Sequence, residues 1–279
     1  MKETVCAAAI QMQSSSELAE NLNNAGLLID QAVKAGAELL VLPENFALMA
    51  QHTTQLLAHK EESGSGPIQD FLSKKAKQHK IWLIGGSVPL ETTHKDKVYA
   101  ACLVFNHEGE SVAQYNKLHL FDVELPKKQE SYRESDAFVA GAQVVTINTP
   151  FGVLGLSICY DVRFPELYRA LAVQGAEIIA VPSAFTQTTG VAHWSMLCKA
   201  RAVENSCYLI AANQCGEHAN GRKTFGHSTI VDPWGEILAE AESGQGVIVT
   251  SLKQSRLVEV RSSFPVLKHR RFSFNLTSK

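Results

Sequence analysis

The chain has 279 residues, of which 45% are hydrophobic, so it can bury a sizeable core, and its length falls between one and two ordinary domains. Its 26 Lys and Arg against 28 Asp and Glu leave a net charge of −2 with no block of like charges, which argues against nucleic acid and against an electrostatic membrane anchor. The first apolar stretch, Val5 to Ile10, spans six residues, and no run approaches the roughly 18 to 20 that cross a bilayer, so a cytoplasmic protein is expected.

In chain order, Val5 to Ile10 predicts a strand, followed by a helix from about Glu17 to Ala35, where Leu18, Leu22, Ala25, Ile29, Ala32 and Val33 recur at three and four residues. The continuously apolar Leu39 to Leu42 predicts a strand buried on both faces. Ser63 to Pro67 reads as a loop, Ile68 to His79 as a helix, Trp82 to Ile84 as a strand, and His107-Glu108-Gly109 as a hairpin turn. The same order then returns. Val153 to Ile158 predicts a strand, Pro165 to Gln174 a helix with proline in its first turn, Ile178 to Val181 a strand, Ala192 to Asn205 a helix, Tyr208 to Ala211 a strand, and Asp232 to Gly235 a hairpin turn. The chain closes through Leu252 to Leu257, Phe264 to Leu267 and a basic tail, Lys268 to Arg271, read as solvated or contacting a second subunit.

The repetition extends to residue identity. Gly36 to Pro43 matches Gly175 to Pro182, and Trp82 to Gly85 and Gly109-Glu110 match Tyr208 to Ala211 and Gly235-Glu236 at one common offset of 126 residues. Two βαβαββ halves, each a sheet with helices on one face, bury their open faces best against one another. The expected α/β fold is therefore a four-layer α-β-β-α sandwich with internal pseudo-symmetry.

Three residues stand where chemistry is done. Cys159 ends the strand Val153 to Ile158 just before a helix, a setting that favours a thiolate, whereas a buried structural thiol is the better reading for Cys6, Cys102 and Cys207. Glu44 directly follows a buried strand, where desolvation raises a carboxyl group toward the range of a general base. Its counterpart in the second half is Ser183, so the fold itself does not require a glutamate. Lys117 sits among apolar residues after the first hairpin, and is either a buried ammonium with an anionic partner or a lysine snorkelling to the surface. The six cysteines form no C-x-x-C and the ten histidines show no metal-ligand spacing, so no metal is expected.

Taken together, Leu42-Pro43-Glu44-Asn45-Phe46, Tyr115 to Asp122 and Ser157 to Leu167 closely resemble the glutamate, lysine and cysteine motifs of the nitrilase superfamily of carbon–nitrogen hydrolases, over about residues 4 to 272. The resemblance implies one such domain across 1–279, with a tail from about 262 to 279, and adds a second pocket glutamate at Glu134. It implies amide hydrolysis without metal or organic cofactor. Cys159 attacks the carbonyl, Glu44 moves protons, Lys117 and a backbone N–H near Tyr160 hold the oxyanion, and Glu134 orients Glu44 while water releases the acid from a thioester. Ala192-His193-Trp194, Gly226-His227-Ser228 and Phe264 to Arg271 are similar to the Nit branch. For that branch the expected substrate is the ω-amide of a small 2-oxo acid, deaminated glutathione ahead of 2-oxoglutaramate, and the expected assembly a homodimer. Tyr160, Arg163, Phe185 and Thr186 are the expected substrate contacts. Arg163 either grips a substrate carboxylate or pairs with Asp161 or Glu166. Val191 departs from the branch, which usually carries proline there, so the adjoining loop at the pocket is expected to differ. A thiol redox protein lacks a resolving cysteine near Cys159, and a silent binding protein would not need Glu44 and Lys117 together.

Overall fold

The computed structural model describes residues 2–125 and 130–272, so the end of the tail, 273–279, lies outside the described residues. The first half consists of β1 (Thr4–Gln11), α1 (Leu18–Lys34), β2 (Leu39–Val41), a short α2 (Thr53–Ala58), α3 (Pro67–His79), β3 (Trp82–Ile84), β4 (Val88–Glu91), β5 (Val98–Phe105) and β6 (Ser111–Asn116). A small hairpin, β7 (Asp122–Leu125) and β8 (Glu130–Arg133), leads to β9 (Thr146–Thr149). The second half runs through β10 (Gly152–Leu156), α4 (Pro165–Val173), β11 (Ile178–Ala180), α5 (Gln187–Asn205), β12 (Tyr208–Ala211), a second small hairpin of β13 (Cys215–Glu217) and β14 (Lys223–Phe225), then β15 (Thr229–Val231) and β16 (Ile237–Glu240). Last come β17 (Gly246–Lys253) and α6 (Gln254–Ser263).

The two halves have one topology. In the first sheet β1, β2 and β3 run parallel, with β5 and then β6 added antiparallel. In the second, β10, β11 and β12 run parallel, with β15 and then β16 antiparallel. The strand that follows each half completes the other half's sheet: β9 pairs antiparallel with β10, and β17 pairs with β1 along eight residues. Alternate residues then choose sides, as strand geometry dictates. Ala8, Ile10, Leu40, Leu42, Leu83 and Leu103 pack under α1 and α3 against Ala25, Ile29 and Leu72. Ala7, Ala9, Leu39, Val41, Ile84 and Val104 share the central core with the strands of the second sheet. This is the α-β-β-α sandwich, and each fully buried Leu or Ile side chain in it contributes about 1.5–3 kcal/mol.

Some elements were not anticipated. β4 contains Pro89, which argues against a strand in sequence, yet it lies at the sheet edge where a missing N–H is tolerated. Helix α5 begins at Gln187, five residues before the expected Ala192. Thr186 caps it by accepting from the Thr189 N–H, and Gly190 allows the first turn to press on Phe225, where a Cβ would come within 2.3 Å of that side chain. The expected loop beside Val191 is thus helical, and Val191 itself is 69% exposed and does not line the pocket described below, although Thr189, two residues earlier, does. Among the described residues no helix is long and apolar enough to cross a membrane.

Candidate active site

Four side chains from the ends of four strands meet in one pocket: Glu44 after β2, Lys117 after β6, Glu134 after β8 and Cys159 after β10. Carboxyl ends of strands are where an open α/β sheet leaves room for a ligand. Local backbone geometry aims these groups. The chain turns beyond Glu44 through Asn45 at φ 57°, whose N–H donates to the Ser87 hydroxyl at 2.8 Å. Gly86 makes the turn possible, because a Cβ there would fall 2.1 Å from the Pro43 carbonyl oxygen. Cys159 occupies the left-handed region at φ 45°, rare for a residue with a Cβ and held here by its N–H donating to the Pro182 carbonyl at 2.8 Å.

Lys117 is 2% exposed, which excludes the snorkelling alternative. Its Nζ donates to Glu44 Oε1 at 2.7 Å and to the two Glu134 oxygens at 2.8 and 2.9 Å. Glu134 is held in turn by the Phe121 N–H at 2.6 Å, and the second oxygen of Glu44 by the Ala184 N–H at 2.9 Å. Burial disfavours the ammonium, but the charges of Glu134 and Glu44 outweigh it and hold Lys117 protonated, above the usual lysine range.

Two electrostatic expectations are corrected. Burial does push the Glu44 carboxyl up, but Lys117 and Arg222, with a hydrogen-bonding interaction from the Cys159 thiol, bring it below the ordinary glutamate value, so Glu44 rests ionised. Burial together with the Glu44 charge pushes the Cys159 thiol well above its ordinary value, despite Lys117 and Arg222, so it rests as a thiol and not as the expected thiolate. Burial and the Glu44 charge leave the Glu134 carboxyl raised, Lys117 notwithstanding.

The pocket is a partly open cleft of about 230 Å³. Tyr160, Arg163, Phe185 and Thr186 all line it. Arg163 makes neither of the ion pairs weighed for it. Its guanidinium lies 5.0 Å over the Phe185 ring and 5.9 Å from the Tyr160 ring, with one nitrogen 3.2 Å from His193 Nδ1. Asp161 is fully buried and otherwise engaged. It accepts from the Tyr115 hydroxyl at 2.6 Å, the Ile158 N–H at 2.8 Å and the His119 N–H at 3.1 Å, with His119 Nδ1 at 2.7 Å. Asp161 thereby ties the Cys159 turn to the segment that carries Lys117, a function that its place in the motif did not reveal. The sequence reading also missed Arg222, Tyr132 and Phe138 in the pocket wall. Arg222 follows Asn220-Gly221, an ordinary hairpin signal between β13 and β14, and only the second small sheet brings it to the site. Among the described residues no group of three or more His, Cys, Asp or Glu side chains is arranged to hold a metal ion.

The chain belongs to the carbon-nitrogen hydrolase family, whose profile matches residues 6–262. It is 44% identical to deaminated glutathione amidase of Synechocystis sp. over 95% of this chain and 98% of that protein. It is also 38% identical to omega-amidase NIT2 of Mus musculus, over 95% of this chain and 94% of the relative. Among solved structures, Saccharomyces cerevisiae Nit3, a member of branch 10 of the nitrilase superfamily, superposes with a TM-score of 0.87 at 34% identity, covering 97% of each chain.

Proposed function

We propose that the chain is a cysteine amidase for ω-amides of small 2-oxo acids, with deaminated glutathione as substrate. The observation that carries this reading is the buried Lys117 shared by two carboxylates beside the Cys159 thiol. Because the thiol rests neutral and Glu44 ionised, Glu44 accepts the thiol proton as sulfur attacks the amide carbonyl carbon. Lys117 and the Tyr160 N–H steady the oxyanion. Glu44 then passes its proton to the leaving nitrogen as the carbon–nitrogen bond breaks, which leaves a thioester on Cys159. A water gives a proton to Glu44 as its oxygen attacks the thioester, and Glu44 returns that proton to the departing Cys159 sulfur, which releases the free acid and restores the thiol. Glu134 keeps Lys117 and Glu44 in place through both half-reactions. The route needs neither metal nor organic cofactor.

The substrate follows the 44% relative rather than the 38% one, with 2-oxoglutaramate as the second reading that the latter supports. A panel assayed by amine release separates them: the account expects kcat/KM for deaminated glutathione to exceed that for 2-oxoglutaramate by at least about tenfold, and the reverse order assigns an omega-amidase.

The unit is read as one domain over 1–279, supported by the family match and by the exchange of β9 and β17 between halves. It is read as cytoplasmic from its thiols, all six of them unpaired. A homodimer is supported by exposed apolar side chains, Val173 at the end of α4 and Phe264 and Phe272 beyond α6. Light scattering at micromolar concentration should give twice the chain mass, and a stable monomer contradicts the dimer.

A further inference from the structure

Two guanidinium groups enter the pocket from different elements, and neither makes a salt bridge to a carboxylate among the described residues, although Arg222 feels the Glu44 charge: Arg163 from the turn after β10 and Arg222 from the hairpin of β13 and β14. They rest on different aromatic walls. Arg163 lies over Phe185 and Tyr160, while Arg222 lies 5.5 Å over the Tyr132 ring. One terminal nitrogen of Arg222 donates to the Ala184 carbonyl, and its Nε is buried with no hydrogen-bond partner. Arg133, at the rim, pairs with Glu124 at 3.2 Å, and Lys117 is taken up by Glu44 and Glu134. A part-buried guanidinium with no carboxylate in hydrogen-bond contact is costly to keep in an apolar wall and is suited to a planar, two-oxygen anion.

We propose that Arg163 and Arg222 are two distinct carboxylate-binding positions, so that the pocket selects amides carrying one carboxylate on the acyl side and another on the amine side of the scissile bond. The inference rests on the amidase reading above. Arg163 stacks beside the nucleophile's own turn and Arg222 on the Tyr132 ring of another element, so both border the pocket that holds the Cys159 thiol. Such a substrate spans the thiol with an anion gripped at each end, and a primary ω-amide fills only one of the two positions. Deaminated glutathione, with its 2-oxo acid carboxylate and its glycine carboxylate, has this form.

The test uses the wild-type enzyme with three substrates: deaminated glutathione, its glycine carboxamide and 2-oxoglutaramate. Removing the amine-side carboxylate should lower kcat/KM by about 10- to 100-fold, chiefly through KM, as expected for one charge-assisted pair. Arg163→Gln and Arg222→Gln should then each erase discrimination at one end of the substrate and retain it at the other. Equal wild-type efficiency on the dicarboxylate and its carboxamide overturns the inference while leaving the amidase intact. So does an equal loss on all three substrates in Arg222→Gln, because Arg222 would then act only through the ionisation of Glu44 and not on a substrate carboxylate. Failure of the wild type to hydrolyse any of the three is a failure of the amidase reading instead. The carboxamide comparison needs no variant, so it decides the matter even if an arginine replacement folds poorly.

Discussion

Cys159→Ala should lower kcat by at least about 10⁴-fold, because the step it removes is the one that forms the covalent intermediate, and no other cysteine lines the pocket. Its thermal midpoint should stay close to that of the wild type, since Cys159 makes no ion pair and alanine adopts the same φ of 45° at similar cost. Glu44→Gln should lose at least about 10³-fold while still binding substrate. Glutamine keeps one acceptor oxygen, enough for Lys117 or for the Ala184 N–H but not for both, and cannot take the proton of a thiol that rests neutral. Circular dichroism melts beside single-turnover rates measure both halves of this expectation. Turnover in Cys159→Ala within tenfold of the wild type removes the cysteine from the mechanism.

Lys117→Met should cost both activity and fold. Two carboxylates converge on one ammonium in a buried site, and without it Glu44 and Glu134 face each other uncompensated. Breaking such a set costs about 3–5 kcal/mol. The sign of the pH dependence follows. In the wild type the Glu44 carboxyl is lower folded than unfolded, so its contribution is present above the unfolded value and is lost as pH falls through the folded one. In Lys117→Met both carboxyl groups lose their counter-charge, so Glu44 rises above its unfolded value and Glu134, already raised, rises further; the variant is least penalised in acid and loses stability as pH climbs. Urea titrations at pH 5 and pH 8 should show a larger deficit at pH 8. An equal deficit at both values contradicts the buried-charge account and reduces the lysine to a packing element.

The parts of this molecule that sequence made legible are those set by local pattern. Leu39 to Leu42 and Ile178 to Val181 are apolar on every residue because both faces are covered, and the repeat between the halves marks the sheets that meet. Glu44, Lys117 and Cys159 were legible because each interrupts or ends an apolar run. The rest depends on distant segments. Nothing in Gly246 to Lys253 announces that it pairs with β1, more than 230 residues away. The early start of α5 depends on Phe225 of β14 meeting Gly190. The charge states of Glu44 and Cys159 were misjudged for the same reason. Burial is visible from an adjoining strand, but the outcome is decided by Lys117 and Arg222, which reach the site along other routes. Arg222 and Asp161 look like a turn cation and a motif acid until the fold sets one against the pocket and the other beneath the nucleophile's turn.

The central claim is a covalent intermediate on Cys159, and rapid-quench intact-protein mass spectrometry during turnover of a slow amide tests it most directly. The account predicts a mass increase equal to the acyl group of the substrate, appearing with release of the first equivalent of amine, located by peptide mapping to Cys159 and lost in Cys159→Ala. Steady amine release with unmodified protein at every quench time, or an acyl group mapped to Cys198, Cys207 or Cys215, would contradict it.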